Sequence, residues 1–160
     1  MRKLENNFAF IDAQNLYLGL RKDGWKMDYR KFRVYLREKY SVTKAYMFMG
    51  YIPENWKIYH FLRKCGFELI FKIISEVDGK IKGNCDGEMI LQAAIDISLY
   101  DQAVIVSGDG DFYCLAKYLK EKNKLKKILA PSFGSCSSLL RNITRKQVVY
   151  LNLLKNNLIY

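Results

Sequence analysis

Four aspartates carry the reactive chemistry of this sequence. Asp12 closes the apolar run Phe8-Ala9-Phe10-Ile11. Asp109 and Asp111 follow Val104-Ile105-Val106-Ser107-Gly108, and Asp86 follows the turn-rich Lys82-Gly83-Asn84-Cys85. Carboxylates that converge repel one another, and such a cluster is costly unless a cation sits within it. A divalent metal bound by oxygen donors is its natural occupant. Asn15, three residues beyond Asp12, adds an amide suited to a metal-bound water, a carboxylate or a substrate phosphate, and equally suited to capping a turn.

The sharpest of these signals is Ser107-Gly108-Asp109-Gly110-Asp111-Phe112. Its glycines permit a tight turn where a strand gives way to a helix. Helix capping accounts for one aspartate there but not for both. A phosphate-cradling loop is excluded, because two carboxylates repel a phosphate and no Gly-Lys-Ser/Thr follows. Asp86 alone reads equally as a metal ligand or a helix N-cap. Asp78-Gly79-Lys80-Ile81-Lys82-Gly83 places lysines where a calcium loop needs oxygen ligands. The single histidine, His60, and four cysteines without Cys-x-x-Cys spacing exclude a structural zinc site. The cysteines read as small buried hydrophobes.

Charge supplies the partner. Lys and Arg number 27 against 16 Asp and Glu, a formal net charge of +11 in 160 residues. A polyanion follows, nucleic acid before an acidic membrane surface. Lys117, Lys120, Lys122, Lys124, Lys126, Lys127, Arg141, Arg145 and Lys146 concentrate late in the chain. Lys117, Lys120 and Lys124 share a stripe if one helix carries all three. Tyr17, Trp25 and Tyr113 lie near the expected site loops and suit base stacking. Basic surface beside an acidic metal site points to a metal-dependent nuclease.

These residues need elements to bring them together. Phe8–Ile11 reads as a short buried strand and 14–20 as a helical turn or two. Asp28 suits the N-cap of a helix over 29–40. Strand follows over 42–51, a helix opened by Pro53 and ended by Gly66, and a buried strand over 67–74. After a loop over 78–84 come a helix from Asp86 to about Leu99, a strand over 103–107, a helix over 112–122 and a strand over 125–130. The tail holds helix within 132–146 and an apolar run over 148–154. Alternating strands and helices imply a three-layer α/β/α sandwich around a mostly parallel sheet, in a single domain over 1–160. Sites in such folds lie at the carboxyl ends of the strands, where all four aspartates then fall. With 50% hydrophobic residues the chain fills one core. No signal peptide is expected, and no apolar stretch reaches about 20 residues, so no membrane association and a cytoplasmic, reducing setting are expected.

Taken in order, three motifs resemble the NYN domain family, a branch of the PIN-like nucleases. They are Phe10-Ile11-Asp12-Ala13-Gln14-Asn15-Leu16-Tyr17, Lys82-Gly83-Asn84-Cys85-Asp86, and Ile105-Val106-Ser107-Gly108-Asp109-Gly110-Asp111-Phe112. The resemblance runs from Phe8 to Ala130. It implies a PIN-like (Rossmannoid) sheet and a ribonuclease using Mg²⁺ or Mn²⁺, with single-stranded RNA as substrate and a homodimer as an allowed assembly. Asp12, Asp86, Asp109 and Asp111 are the implied metal ligands and catalytic residues, with Asn15 in support. Asn15, Ser107, Lys82 and Tyr17 are the implied substrate contacts. Many members carry another acidic residue about six positions after the helix-opening aspartate, where this chain has Gln92. Asp96 lies about 15 Å down the helix from Asp86 and reads as a surface or helix-pairing charge. The substitution at Gln92 leaves room for an inactive RNA-binding or adaptor module of the same fold. Other phosphoryl-transfer sites fit less well. A phosphatase with an aspartate nucleophile wants Asp-x-Asp where this chain has Asp12 and Gln14, and a topoisomerase-primase site wants glutamate in place of Asp12.

Overall fold

The computed structural model describes residues 4–82, 84–143 and 145–160, with the side chains of Ser75, Val77, Lys80, Ile81 and Lys82 outside the description. In chain order the elements are β1 (Asn7–Asp12), α1 (Ala13–Lys22), α2 (Tyr29–Tyr40), β2 (Val42–Gly50), α3 (Trp56–Lys64), β3 (Glu68–Lys72), β4 (Ser75–Val77) and β5 (Lys80–Lys82). They continue with α4 (Asp86–Ile95), β6 (Ala103–Val106), α5 (Tyr113–Glu121), β7 (Leu125–Ala130), α6 (Ser138–Ile143), β8 (Val148–Tyr150) and α7 (Lys155–Leu158). Short 3₁₀ turns precede α3 and α5 at Pro53–Asn55 and Gly110–Phe112.

Six strands form one sheet in the order β3-β2-β1-β6-β7-β8, and every pairing in it is parallel. Successive side chains on a strand point to opposite faces, so each central strand feeds two cores. Ala9, Ile11, Met47, Val104, Val106 and Leu129 pack with Leu16, Leu20, Phe32, Leu36, Leu62 and Leu158 from α1, α2, α3 and α7. Phe8, Phe10, Phe48, Ile105, Ile128 and Ala130 pack with Met89, Ala93, Leu115, Leu119 and Leu140 from α4, α5 and α6. Helices on both faces explain why β1 and β6 are apolar without alternation. This is the expected α/β/α sandwich. Full burial of a side chain such as Phe10 or Phe32 contributes about 1.5–3 kcal/mol.

The order of strands fixes where a site can form. The chain winds outward from β1 through β2 to β3, then crosses back to β6 and winds outward the other way. The reversal falls between β1 and β6, which pair through Phe10↔Ile105 and Ile11↔Val106. The carboxyl ends of two neighbouring strands diverge into loops there and leave a crevice. The Asp28 N-cap is as expected, its carboxylate accepting from the backbone N–H groups of Arg30 (2.9 Å) and Lys31 (3.3 Å).

Several expectations need correction. The stretch 78–84 is not a plain loop: β4 and β5 form an antiparallel hairpin across Asp78-Gly79, both with positive φ, as a two-residue hairpin turn requires. The strand at 67–74 is shorter and half-buried, because β3 is the sheet edge. The apolar run 148–154 supplies the sixth strand. Lys124 is not on the helix of Lys117 and Lys120, since α5 ends at Glu121 and Asn123 adopts positive φ. Asp96 is buried, not a surface charge, and accepts a 2.7 Å hydrogen bond from the Tyr46 hydroxyl. Trp25 is buried in the core and unavailable to stack on a base.

Candidate metal centre

Asp12 is the last residue of β1 and the N-cap of α1, where its Oδ1 accepts from the Asn15 backbone N–H at 3.1 Å. The same carboxylate therefore ends a buried strand and starts a helix. Its second oxygen accepts from the Ser107 hydroxyl at 3.3 Å, across the β1–β6 junction. Ser107 also receives the Asp109 backbone N–H at 3.1 Å. The Asn15 side-chain oxygen accepts from the Gly108 backbone N–H at 2.9 Å. These bonds lock the loop after β1 to the loop after β6.

Asp109 caps the 3₁₀ turn ahead of α5, its Oδ1 accepting from the Asp111 backbone N–H at 2.9 Å. Asp86 is the first residue of α4. Asn84 grips it twice, accepting from the Asp86 backbone N–H (2.8 Å) and donating its amide to Asp86 Oδ2 (2.9 Å). Lys72 at the end of β3 holds this turn by donating to the Asn84 carbonyl at 2.8 Å, and it pairs with Glu88 at 3.4 Å. Asn84 and Lys72 were not among the expected site residues. An Asn two residues before a helix-opening Asp was the legible signal for the first; the second depends on where β3 ends.

One oxygen from each of Asp12, Asp86 and Asp109 lies within 4.8 Å of the other two. They line a cleft of about 330 Å³ with Gln14, Asn15, Phe48, Asn84 and Cys85. Burial raises the Asp12 carboxyl to about 6, opposed by the Asn15 hydrogen bond and reinforced by the charges of Asp86 and Asp109. Burial, and the charges of Asp109 and Asp111, also raise Asp86. Among the described residues no lysine or arginine forms an ion pair with any of the three. Three hard oxygen donors and no thiolate or imidazole among them suit a hard divalent cation.

Asp111 is exposed and stands outside the group of three, though its charge helps to raise Asp86. Ser107 is fully buried, with its hydroxyl engaged by Asp12 and Asp109. Tyr17 is exposed on α1 but does not line the cleft, and Tyr113 is half-buried against the second core. Gln92 is half-buried and contributes nothing to the carboxylate group. The Lys82 side chain and all of Gly83 lie outside the described residues.

The sequence profile of the NYN domain matches residues 8–152. The chain belongs to the NYN domain family. Low amplitude and bright protein LabA of Synechococcus elongatus is 26% identical to this NYN domain over 150 residues, covering 87% of this chain and 80% of that protein. A Vibrio parahaemolyticus protein of unknown function has a crystal structure matching at a TM-score of 0.82 and 23% identity, across 100% of this chain and 99% of that one. A bacteriophage T5 protein co-crystallised with metal ions matches at a TM-score of 0.52 and 15% identity, over 88% of this NYN domain and 60% of that chain. At these identities the structural matches establish the fold, which is PIN-like. Family and acidic cluster together fit a metal-dependent nuclease. No helix among the described residues is long and apolar enough to cross a membrane.

Proposed function

We propose that this NYN domain, taken as one unit over 1–160, is a ribonuclease that hydrolyses single-stranded RNA at a Mg²⁺ or Mn²⁺ site. The observation that carries the proposal is the approach of Asp12, Asp86 and Asp109 to within 4.8 Å at the crevice between β1 and β6, with no ion pair to a lysine or arginine among the described residues. Those three carboxylates would hold the ion. A bound divalent ion supplies activation of water and relief of the charge that builds on the phosphate. Ser107 and Asn15 hold Asp12 in its rotamer, and Asn84 does so for Asp86, so the donor set is oriented before substrate arrives. Asn15 spends its carbonyl on Gly108, which leaves its amide N–H₂ as a donor for a phosphate oxygen. Asp111, exposed beside Asp86, serves as an outer carboxylate that accepts hydrogen bonds from water around the ion. Attack by water leaves a 5′-phosphate and a 3′-hydroxyl, and no histidine takes part.

RNA is favoured by the family resemblance and by the net charge of +11. Four free cysteines fit a reducing, cytoplasmic setting. The test is cleavage of labelled single-stranded RNA with Mn²⁺, with Mg²⁺ and with EDTA. Metal-dependent cutting is expected, reduced at least about 100-fold in Asp12→Asn and Asp109→Asn. Full activity in both folded variants overturns the assignment. RNA binding without cutting by the wild type selects the inactive binding module.

A further inference from the structure

A second cavity, of about 260 Å³, opens beside β8 and is walled by Phe133, Arg141, Asn142, Arg145, Val148 and Tyr150. Phe133 follows β7, and Tyr150 ends β8. Both therefore stand at the carboxyl edge of the sheet that also carries the acidic cleft. Phe133 is 60% exposed, yet it is held firmly. The Tyr150 ring meets it edge-on at 5.7 Å and 71°. The Arg141 guanidinium lies 4.2 Å from its ring centre and donates to the carbonyls of Phe133 and Cys136. A large exposed ring fixed in one orientation is a ready platform for stacking. Arg145 is exposed at the same wall, and among the described residues no carboxylate lines the cavity.

The segment that carries Phe133 is fastened to the catalytic loop. Ser137 donates its backbone N–H to the Gly108 carbonyl at 2.8 Å. Gly108 lies so close to the Ser135 backbone that a Cβ would fall 1.9 Å from its carbonyl oxygen. The cavity and the carboxylates of Asp12 and Asp109 are thus neighbours along one edge, joined by a packed loop.

We propose that this cavity is a nucleotide subsite for single-stranded RNA, taking a nucleotide that flanks the scissile phosphate; the inference rests on the ribonuclease reading above. The base stacks on the open face of Phe133 against Tyr150. The phosphate of that nucleotide meets Arg145, while Arg141 supplies fixed positive charge behind the ring. Aromatic platforms paired with cations hold single strands with little regard to sequence. The arrangement gives the enzyme a grip on substrate that the acidic centre, which repels phosphate until an ion is bound, lacks.

The experiment measures two quantities for the wild type, Phe133→Ala, Phe133→Trp and Arg145→Ala. One is Kd for fluorescent single-stranded RNA by anisotropy in EDTA; the other is kcat/KM for cleavage in Mn²⁺. Thermal melts check that each variant is folded. Phe133→Ala is expected to weaken Kd and kcat/KM by about tenfold to a hundredfold. Phe133→Trp restores both, and Arg145→Ala weakens both by about fivefold while flattening their salt dependence. Wild-type binding and cutting with all variants within twofold overturns the subsite and leaves the ribonuclease standing. Binding that is lost in Phe133→Ala, in a protein that never cuts, leaves Phe133 as an RNA contact but overturns both the catalytic reading and the cavity as the flank of a scissile phosphate. A wild type that neither binds nor cuts RNA, or that prefers single-stranded DNA, overturns the subsite as an RNA site.

Discussion

At the scale of single residues, Asp12 holds its charge against its surroundings. It ends a strand whose preceding residues are fully buried, and its carboxyl titrates at about 6 because burial and two neighbouring carboxylates oppose its charge. A raised value means that the folded protein binds this proton more tightly than the unfolded chain does. The stabilisation is complete below about pH 3.8 and is lost as the pH rises through about 6. Above that, the metal-free protein carries a charge it disfavours, at a cost of about 3 kcal/mol. Asp12→Asn should therefore raise the Tm of EDTA-treated protein at pH 7.5 and give little gain at pH 4. Added Mg²⁺ or Mn²⁺ should raise the wild type at pH 7.5 and do much less for the variant. A wild-type Tm indifferent to metal, with no gain from the substitution, would remove the site as a cation site. Proton and ion compete for the same oxygens, so metal affinity measured by calorimetry should fall between pH 7.5 and 5.5.

The elements translate strand order into that geometry, and Gly108 is where the translation is tightest. Its missing side chain lets the loop after β6 rest on the backbone of Ser135, where a Cβ would meet the carbonyl oxygen at 1.9 Å and the carbonyl carbon at 2.9 Å. Backbone cannot swing aside as a side chain can, so Gly108→Ala must shift one loop against the other. The expected loss is about 3 kcal/mol, or a fall in Tm on the order of 8 °C, together with weakened metal binding. Gly134→Ala, with nothing within 4 Å of its added carbon, should change stability by less than about 0.5 kcal/mol. Equal melts for the two would show that the loops have room to part. The glycines of this turn were legible as turn formers, but the partner that demands one of them is 27 residues away in sequence, from Gly108 to Ser135. The same distinction separates what the sequence revealed from what it hid. The strands that lead into Asp12 and Asp109, the Asp28 cap and the helix opened by Asp86 rest on local patterns. The β4–β5 hairpin has its own local signal in Asp78-Gly79, the two positive-φ residues of its turn. Lys72 bracing Asn84, Tyr46 covering Asp96 and the burial of Trp25 arise from which strand ends beside which helix, information no short window contains.

For the whole molecule the question is how a chain of net charge +11 presents itself to a polyanion when its reactive centre is acidic. Much of the basic surface is already committed. Lys120, Lys124 and Lys127 donate to the carbonyls of Ile143, Tyr100 and Lys146, and Lys126 pairs with Glu5. The carbonyls that Lys124 and Lys127 reach, those of Tyr100 and Lys146, precede β6 and β8, at the amino ends of the strands and away from the carboxyl edge where the aspartates sit. Net charge therefore overstates the number of phosphates gripped at once. That number is read from salt, because each phosphate neutralised in a single strand lowers the slope of log K against log salt concentration by about 0.7. If RNA lies along the carboxyl edge, meeting Arg145 and a few neighbouring cations, three to six contacts give a slope of about −2 to −4. Arg145→Ala should bring that slope closer to zero by about 0.7. A slope steeper than about −7 would mean that the basic surface binds diffusely, and a slope near zero would mean that charge does not drive the association. Titrations of one oligonucleotide from 50 to about 300 mM salt separate the three. Only the middle result fits a protein whose positive charge delivers a strand to one edge of one sheet, where a metal ion then reverses the sign of the site.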